Sequence, residues 1–182
     1  MCLEIVDRAC RDEELLQLLK IPETYWELVR GSWQAGEPSL YGRMDFAYDG
    51  HGPAKLYEYN ADTPTSIYES AFFQWVWLEQ ARAFRRLPAG ADQYNSIQEK
   101  LIAAFATAQI SSVLHFTSVE GHAEDRGTVL YLEDCARQAG LETAYVPLEQ
   151  IGVDAMGRFA DLDDYVTVSY THLTLPTNTV VE

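Results

Sequence analysis

Basic residues are scarce in this chain: 13 Lys and Arg stand against 28 Asp and Glu, a formal net charge of -15 over 182 residues. A surface of that sign repels nucleic-acid backbones and anionic lipid, so neither is an expected partner, whereas a cationic amine or a hard metal ion is compatible with it. Cysteines are few, and Cys2, Cys10 and Cys135 form no close pair and no metal-ligand spacing. They are expected as buried small hydrophobes in a reducing compartment. The histidines at 51, 115, 122 and 172 share no ligand spacing either, and His115, within an apolar run, is expected as a satisfied core residue. No apolar run is long enough for a membrane span, since Phe72 to Leu78 stops at Glu79. The first residues are acidic and lead to no small-residue cleavage site, so a soluble, cytoplasmic protein is expected. A glycine fingerprint for a dinucleotide or a P-loop is also absent, as is any internal repeat.

What is present is globular: 47% hydrophobic and 23% charged residues, enough for one domain with a sizeable core or for part of a larger one. Residues 1 to 20 have helical spacing, with Leu3, Val6, Cys10, Leu15, Leu18 and Leu19 on the apolar side, and a second short helix is expected to start at Pro22. The apolar face of the first helix needs a partner that residues 1 to 40 do not obviously provide, and Met1 reads either as a true start or as an internal methionine of a longer protein. A strong helix is predicted from Thr65 to Phe84, opened by the capping-box pattern Ser66 to Glu69, and another from Ser96 to Gln109. Strand 112–117, helix 127–139 and strand 142–147 then argue a βαβ unit with parallel strands, with any ligand past the strand ends at Ser118 to Arg126. The fold class expected is α/β. Residues 168–182 are rich in threonine and lack Lys and Arg, so they read as a non-native or disordered tail outside the domain of residues 1–167.

Between these regions lies a predicted hairpin. Alternation puts Arg43, Asp45 and Ala47 on one face of its first strand, and Leu56, Glu58 and Asn60 on one face of its second. The turn Asp49-Gly50-His51-Gly52-Pro53 suggests a register that sets Asp45 against Glu58 and Arg43 against Asn60. Opposed carboxylates are destabilising unless something offsets them. Two readings stay open here. A divalent cation such as Mg²⁺ takes Asp, Glu and Asn oxygens, with Arg43 beside it for a phosphate or carboxylate. Alternatively, the face is solvated and holds an Arg–Asp salt bridge. The following Asn60 to Ser66 run brings hydroxyls and N–H groups to a helix N-terminus, which suits an anion or a simple cap.

The segments SLYGRMDFAYDG, KLYEYNADTPTSIYESAFFQWVWLE and EDRGTVLYLEDCARQAG resemble the glutathionylspermidine synthase family, most of all its single-domain acid–amine ligase relatives. The likeness covers about residues 1 to 167. It implies an ATP-grasp-type ligase with a pre-ATP-grasp-like βαβ region, which joins a carboxylate to an amine with ATP and Mg²⁺ through an acyl-phosphate. By that resemblance Arg43 stabilises the transferred phosphoryl group and touches ATP, Asp45 also lies at the nucleotide, and Met44 contacts it through its backbone at most. Asp45, Glu58 and Asn60 hold Mg²⁺. Thr63 and Thr65 lie at the substrate carboxylate, and Glu120, Glu124 and Asp125 receive the substrate's amine end. The partners implied are a glutathione-like peptide and a polyamine-like amine. The family's nucleotide-gripping lysines and glycine-rich loop have no counterpart in Val168 to Glu182, so the chain as given is expected not to turn over. Two other readings remain, a non-catalytic module that binds a cation or small ligand and an acidic α/β fragment without a site.

Overall fold

The computed structural model describes residues 1–36, 39–61, 66–108, 110, 112–155 and 159–161. The chain divides into two compact units, one of Met1–Ser39 with Met44–Tyr59 and the other of Leu40–Arg43 with Asn60–Glu182.

In the first unit, the single helix expected over residues 1 to 20 is two. Helix α1 (Cys2–Arg11) stops at Asp12, whose backbone is extended and whose carboxylate accepts from the N–H groups of Glu14 and Leu15. Asp12 therefore caps α2 (Glu13–Leu18), and an aspartate that satisfies two free N–H groups there outweighs the continuous apolar spacing. After Pro22 a 3-10 turn, Glu23–Tyr25, leads into α3 (Trp26–Ala35). Trp33 Nε1 donates to Asp7 Oδ1 at 2.8 Å and ties α3 to α1. That bond, aided by Arg11, holds the Asp7 carboxyl below its ordinary value. Arg30 donates to the Cys10 carbonyl at 3.2 Å and pairs with Glu13 and Glu27. The buried residues of these helices are Ala9, Cys10 and Leu16, whereas Leu3, Leu18 and Leu19, expected on the inner face, are exposed.

The hairpin strands are β1 (Arg43–Ala47) and β2 (Lys55–Asn60), paired in a two-stranded sheet. In the turn, Asp49 Oδ1 accepts from His51 N at 2.9 Å and Gly50 has a φ of 87°. A side chain at Gly50 would be strained, so the Asp-Gly pair specifies the turn.

The second unit holds the larger core. Its first long helix begins at Ile67, passes through a π-helical segment, Glu69–Phe73, and continues as α4 (Gln74–Ala83). Ser66 does not cap it with a hydroxyl: its φ of 69° is left-handed, and its carbonyl accepts from Ser70 N. Then come α5 (Ile97–Thr107), β3 (Leu114–Phe116), α6 (Ala123–Gln138) and β4 (Thr143–Tyr145). Strands β3 and β4 are parallel, with Leu114, His115 and Phe116 beside Thr143, Ala144 and Tyr145, so the predicted βαβ unit is present. Helix α6 starts earlier than expected, at Ala123, and ends just before Gly140, whose φ of 89° suits glycine. The short strands β5 (Gly152–Val153) and β6 (Phe159–Ala160) pair antiparallel.

Leu101 and Phe105 of α5, Leu114 and Phe116 of β3, and Val129 and Leu132 of α6 form the centre of the core. Each large side chain buried this fully contributes about 1.5–3 kcal/mol. Cys135 lies among them, and burial pushes its thiol up to about 11. Of the other cysteines Cys10 is buried as expected and Cys2 is half-buried. His115 is buried but not satisfied, because its Nδ1 has no hydrogen-bond partner. Among the described residues no helix is long and apolar enough to cross a membrane. The expected tail, residues 168–182, lies outside the described residues.

Candidate functional site

Burial along β1 alternates with a period of two. Arg43, Asp45 and Ala47 are half-buried, while Met44, Phe46 and Tyr48 are exposed. The polar face is thus the covered one, and neither Arg43 nor Asp45 is without a partner. A strand that turns an aspartate and an arginine inward and a phenylalanine outward does not follow the rule that apolar residues take the buried face. In β2 the alternation is less regular. Leu56 and Asn60 are half-buried as expected, Glu58 is exposed, and Tyr59 joins the half-buried positions.

Asp45, Glu58 and Asn60 would supply two carboxylates and an amide carbonyl, hard oxygens of the type Mg²⁺ takes. Among the described residues no three His, Cys, Asp or Glu side chains gather to hold a metal. The expected set has only two such residues, with an amide as its third oxygen. Thr63 and Thr65 lie outside the described residues.

The remaining predicted residues are near the carboxyl ends of β3 and β4. Glu120 precedes α6, its side chain exposed and its backbone N–H donated to the Glu149 carboxylate at 3.1 and 3.2 Å. Glu124 and Asp125 were expected in a loop but belong to the first turn of α6, because the helix begins at Ala123. Acids there suit the helix dipole without any ligand. Glu124 is exposed, whereas the Asp125 side chain is mostly covered, 3.8 Å from His122 Nδ1.

A second set of side chains meets at the same strand ends. Arg126 lies over the ring of Tyr145, with Cζ 3.5 Å from the ring centroid, and the Tyr145 hydroxyl is 3.0 Å from Ser118 Oγ. Arg126 Nη1 is 3.9 Å from Glu133 Oε2, and Glu133 is buried and bonded to Arg137 and Thr143. Sequence reasoning stopped the candidate loop at Arg126 and did not connect it with Tyr145. The available signal was the βαβ pattern itself, which brings residues just past two parallel strands together.

Comparison with known proteins agrees with the motifs. The sequence matches the family described as glutathionylspermidine synthase pre-ATP-grasp over residues 1–177. A Haemophilus influenzae protein that bears the name acid–amine ligase is 41% identical over 143 residues, 76% of this chain and 35% of its own length. The trypanothione synthetase of Crithidia fasciculata is 31% identical over 141 residues, 77% of this chain and 21% of that enzyme. The bifunctional glutathionylspermidine synthetase/amidase of Escherichia coli is 30% identical over 163 residues, 88% of this chain and 25% of its own. The chain thus spans about a third or less of the curated relatives it matches. On the extent of that match and the α/β fold that carries it, the chain belongs to the glutathionylspermidine synthase pre-ATP-grasp family.

Proposed function

We propose that the chain is the metal-bearing part of an ATP- and Mg²⁺-dependent acid–amine ligase, which joins a carboxylate to an amine through an acyl-phosphate. The observation that carries this reading is the covered polar face of β1, with Arg43 and Asp45 turned inward, in a chain whose relatives are named as ligases and synthetases. Phosphoryl transfer asks a protein for positioning and charge neutralisation more than for covalent help.

In this reading Asp45, Glu58 and Asn60 hold the metal, in a register that sets Asp45 against Glu58. The donor chemistry fits, and the exposed Glu58 carboxylate is free of packing that would fix it elsewhere. When bound, Mg²⁺ supplies positive charge to the phosphate oxygens. Arg43 presents its guanidinium to the transferred phosphoryl group, where a planar fork matches two oxygens. Met44 and Asp45 touch the nucleotide. Thr63 and Thr65 orient the carboxylate that is activated, and Glu120, Glu124 and Asp125 attract the amine. The acid is a glutathione-like peptide and the amine a polyamine, by analogy with the names of the Escherichia coli and Crithidia fasciculata relatives. A net charge of -15 favours approach of a polyamine.

Calorimetric titration with MgCl₂ tests the metal set. Wild type releases or absorbs heat, and Asp45→Asn and Glu58→Ala each remove it; equal heat in the variants would sink the assignment. Expressed as these 182 residues, the chain is expected to release no phosphate from ATP with glutathione and spermidine. Steady release above background would show that these residues already contain a full catalytic site.

A further inference from the structure

We propose that Arg126 is a specificity-determining residue that grips a carboxylate of the acid substrate at the carboxyl ends of β3 and β4. The inference rests on the ligase reading above and deepens it.

The setting is the first observation. Ser118 follows β3, Tyr145 ends β4 beside Phe116, and Arg126 stands in the first turns of α6. Ligands of parallel strand–helix–strand units bind past the carboxyl ends of the strands, where these three residues meet. The second observation is how the guanidinium is held. Its flat face rests on Tyr145, which is itself anchored through the contact of its hydroxyl with Ser118 Oγ. Its Nη1 edge is buried and points toward Glu133, but at 3.9 Å it makes no hydrogen bond. Glu133 is already bonded to Arg137 and Thr143, so the Arg126 charge is steadied by that carboxylate without being consumed by it. The third observation is access. The Arg126 side chain keeps 31% of its surface exposed, at a place where Thr117 and Ser118 are buried.

Stacking fixes the plane of the guanidinium and leaves its edge away from Nη1 for a partner. A fixed planar fork pairs with a carboxylate through two parallel N–H bonds, which a lysine cannot reproduce. An arginine with a purely structural role would be expected to bond Glu133 directly and close its buried edge. Here that contact is long, and because Nη1 itself has no exposed surface, the 31% of the side chain that stays accessible belongs to its other atoms, which are the ones a ligand meets. This geometry suits recognition of an anionic group on a small acid, and it selects among acids without taking part in bond formation.

The test uses the whole 182-residue chain, labelled with ¹⁵N, and follows the guanidinium Nε–H resonance of Arg126 by NMR. The probes are glutathione, which carries two carboxylates, then inorganic phosphate and spermidine. Glutathione is expected to shift the Arg126 resonance saturably. Arg126→Lys should weaken glutathione binding about tenfold, because a charge-assisted bidentate contact is lost while the charge remains. Its unfolding midpoint should stay near that of wild type. If glutathione shifts other amides but not Arg126, and Arg126→Lys binds equally well, the role of Arg126 is overturned while the ligase reading stands. A shift as strong with phosphate overturns the carboxylate assignment. No shift with any probe overturns the proposal, and the ligase reading is then judged separately by the Mg²⁺ titration. Because the resonance is read in wild type, the test survives a variant that fails to fold.

Discussion

Glu133 is a buried carboxylate whose surroundings constrain its substitution. It is buried on α6, and it accepts from Arg137 one turn on and from Thr143 at the start of β4. It therefore fastens the crossover helix to the second strand of the βαβ unit. Arg137 is itself well exposed, which would ordinarily make its removal nearly neutral. Here the partner decides the outcome, since Arg137→Ala strands a buried carboxylate. The expected loss is about 3 kcal/mol, at the low end for breaking a buried pair because Thr143 and the more distant Arg126 remain. Adding Glu133→Leu to Arg137→Ala should restore part of it, since the charge that needed a partner is gone. Urea unfolding of the three chains checks this; a single variant within about 0.5 kcal/mol of wild type, the range of ordinary surface changes, would contradict it. Nothing in the spacing of α6 announced this. Glu133 stands between Leu132 and Asp134 in a helix with several other acids, and its burial depends on a strand that forms later in the chain.

At the level of elements, the π-helical turn Glu69–Phe73 is the feature with the clearest mechanical cause. A π turn shifts the bonding pattern by one residue and leaves carbonyls without helical partners. Asn95 supplies them: its Nδ2 donates to Ser70 O at 2.8 Å and to Ala71 O at 3.1 Å, while its Oδ1 accepts from Ile97 N at the start of α5. One side chain thus clamps the π turn to the next helix. Asn95→Ala should cost about 1–3 kcal/mol, the penalty for part-buried carbonyls left unmet. Amide exchange should rise in residues 69–74 more than in α6, as read by mass spectrometry. Uniform protection after the substitution would mean that the turn holds without Asn95. The long aromatic helix itself was legible from Ile67, Tyr68, Phe72 and Leu78, as was the βαβ unit from its apolar runs. The π turn was not, because its cause lies in a loop residue more than twenty positions away. The alternation in β1 was legible and the looser one in β2 was not. Tyr59 is half-buried while Tyr57, the same side chain two residues earlier, is exposed, so neither the period of two nor side-chain size accounts for the burial of β2.

For the molecule as a whole, an apolar face without a partner was expected on the first helix, whereas the aromatic run of the predicted Thr65–Phe84 helix, which reads as core, also leaves large side chains exposed. In the second unit Phe73, Trp77 and Phe84 follow one another at helical spacing and are all more than half exposed. Phe73 and Trp77 also line a shallow groove of about 440 Å³ with Glu69, Gln74 and Gln93. Scattered exposed aromatics are ordinary, but a row along one helix is the pattern of a surface that is covered when a protein is assembled. The curated relatives named above have most of their length outside the matched region, which is ample to cover such a row in them. Like charges across a -15 chain oppose self-association, so at low salt these aromatics are expected to face solvent and bind a hydrophobic dye. Salt screens that repulsion, and at about 1 M the screening length falls to about 3 Å, so association through the apolar row should then appear. Trp77→Gln with Phe84→Gln should lower dye fluorescence and suppress the salt-induced association in sedimentation, with little change in thermal midpoint because neither ring is buried. If the double variant unfolds at markedly lower temperature, the rings are part of the core, and the row is not a surface waiting for a partner.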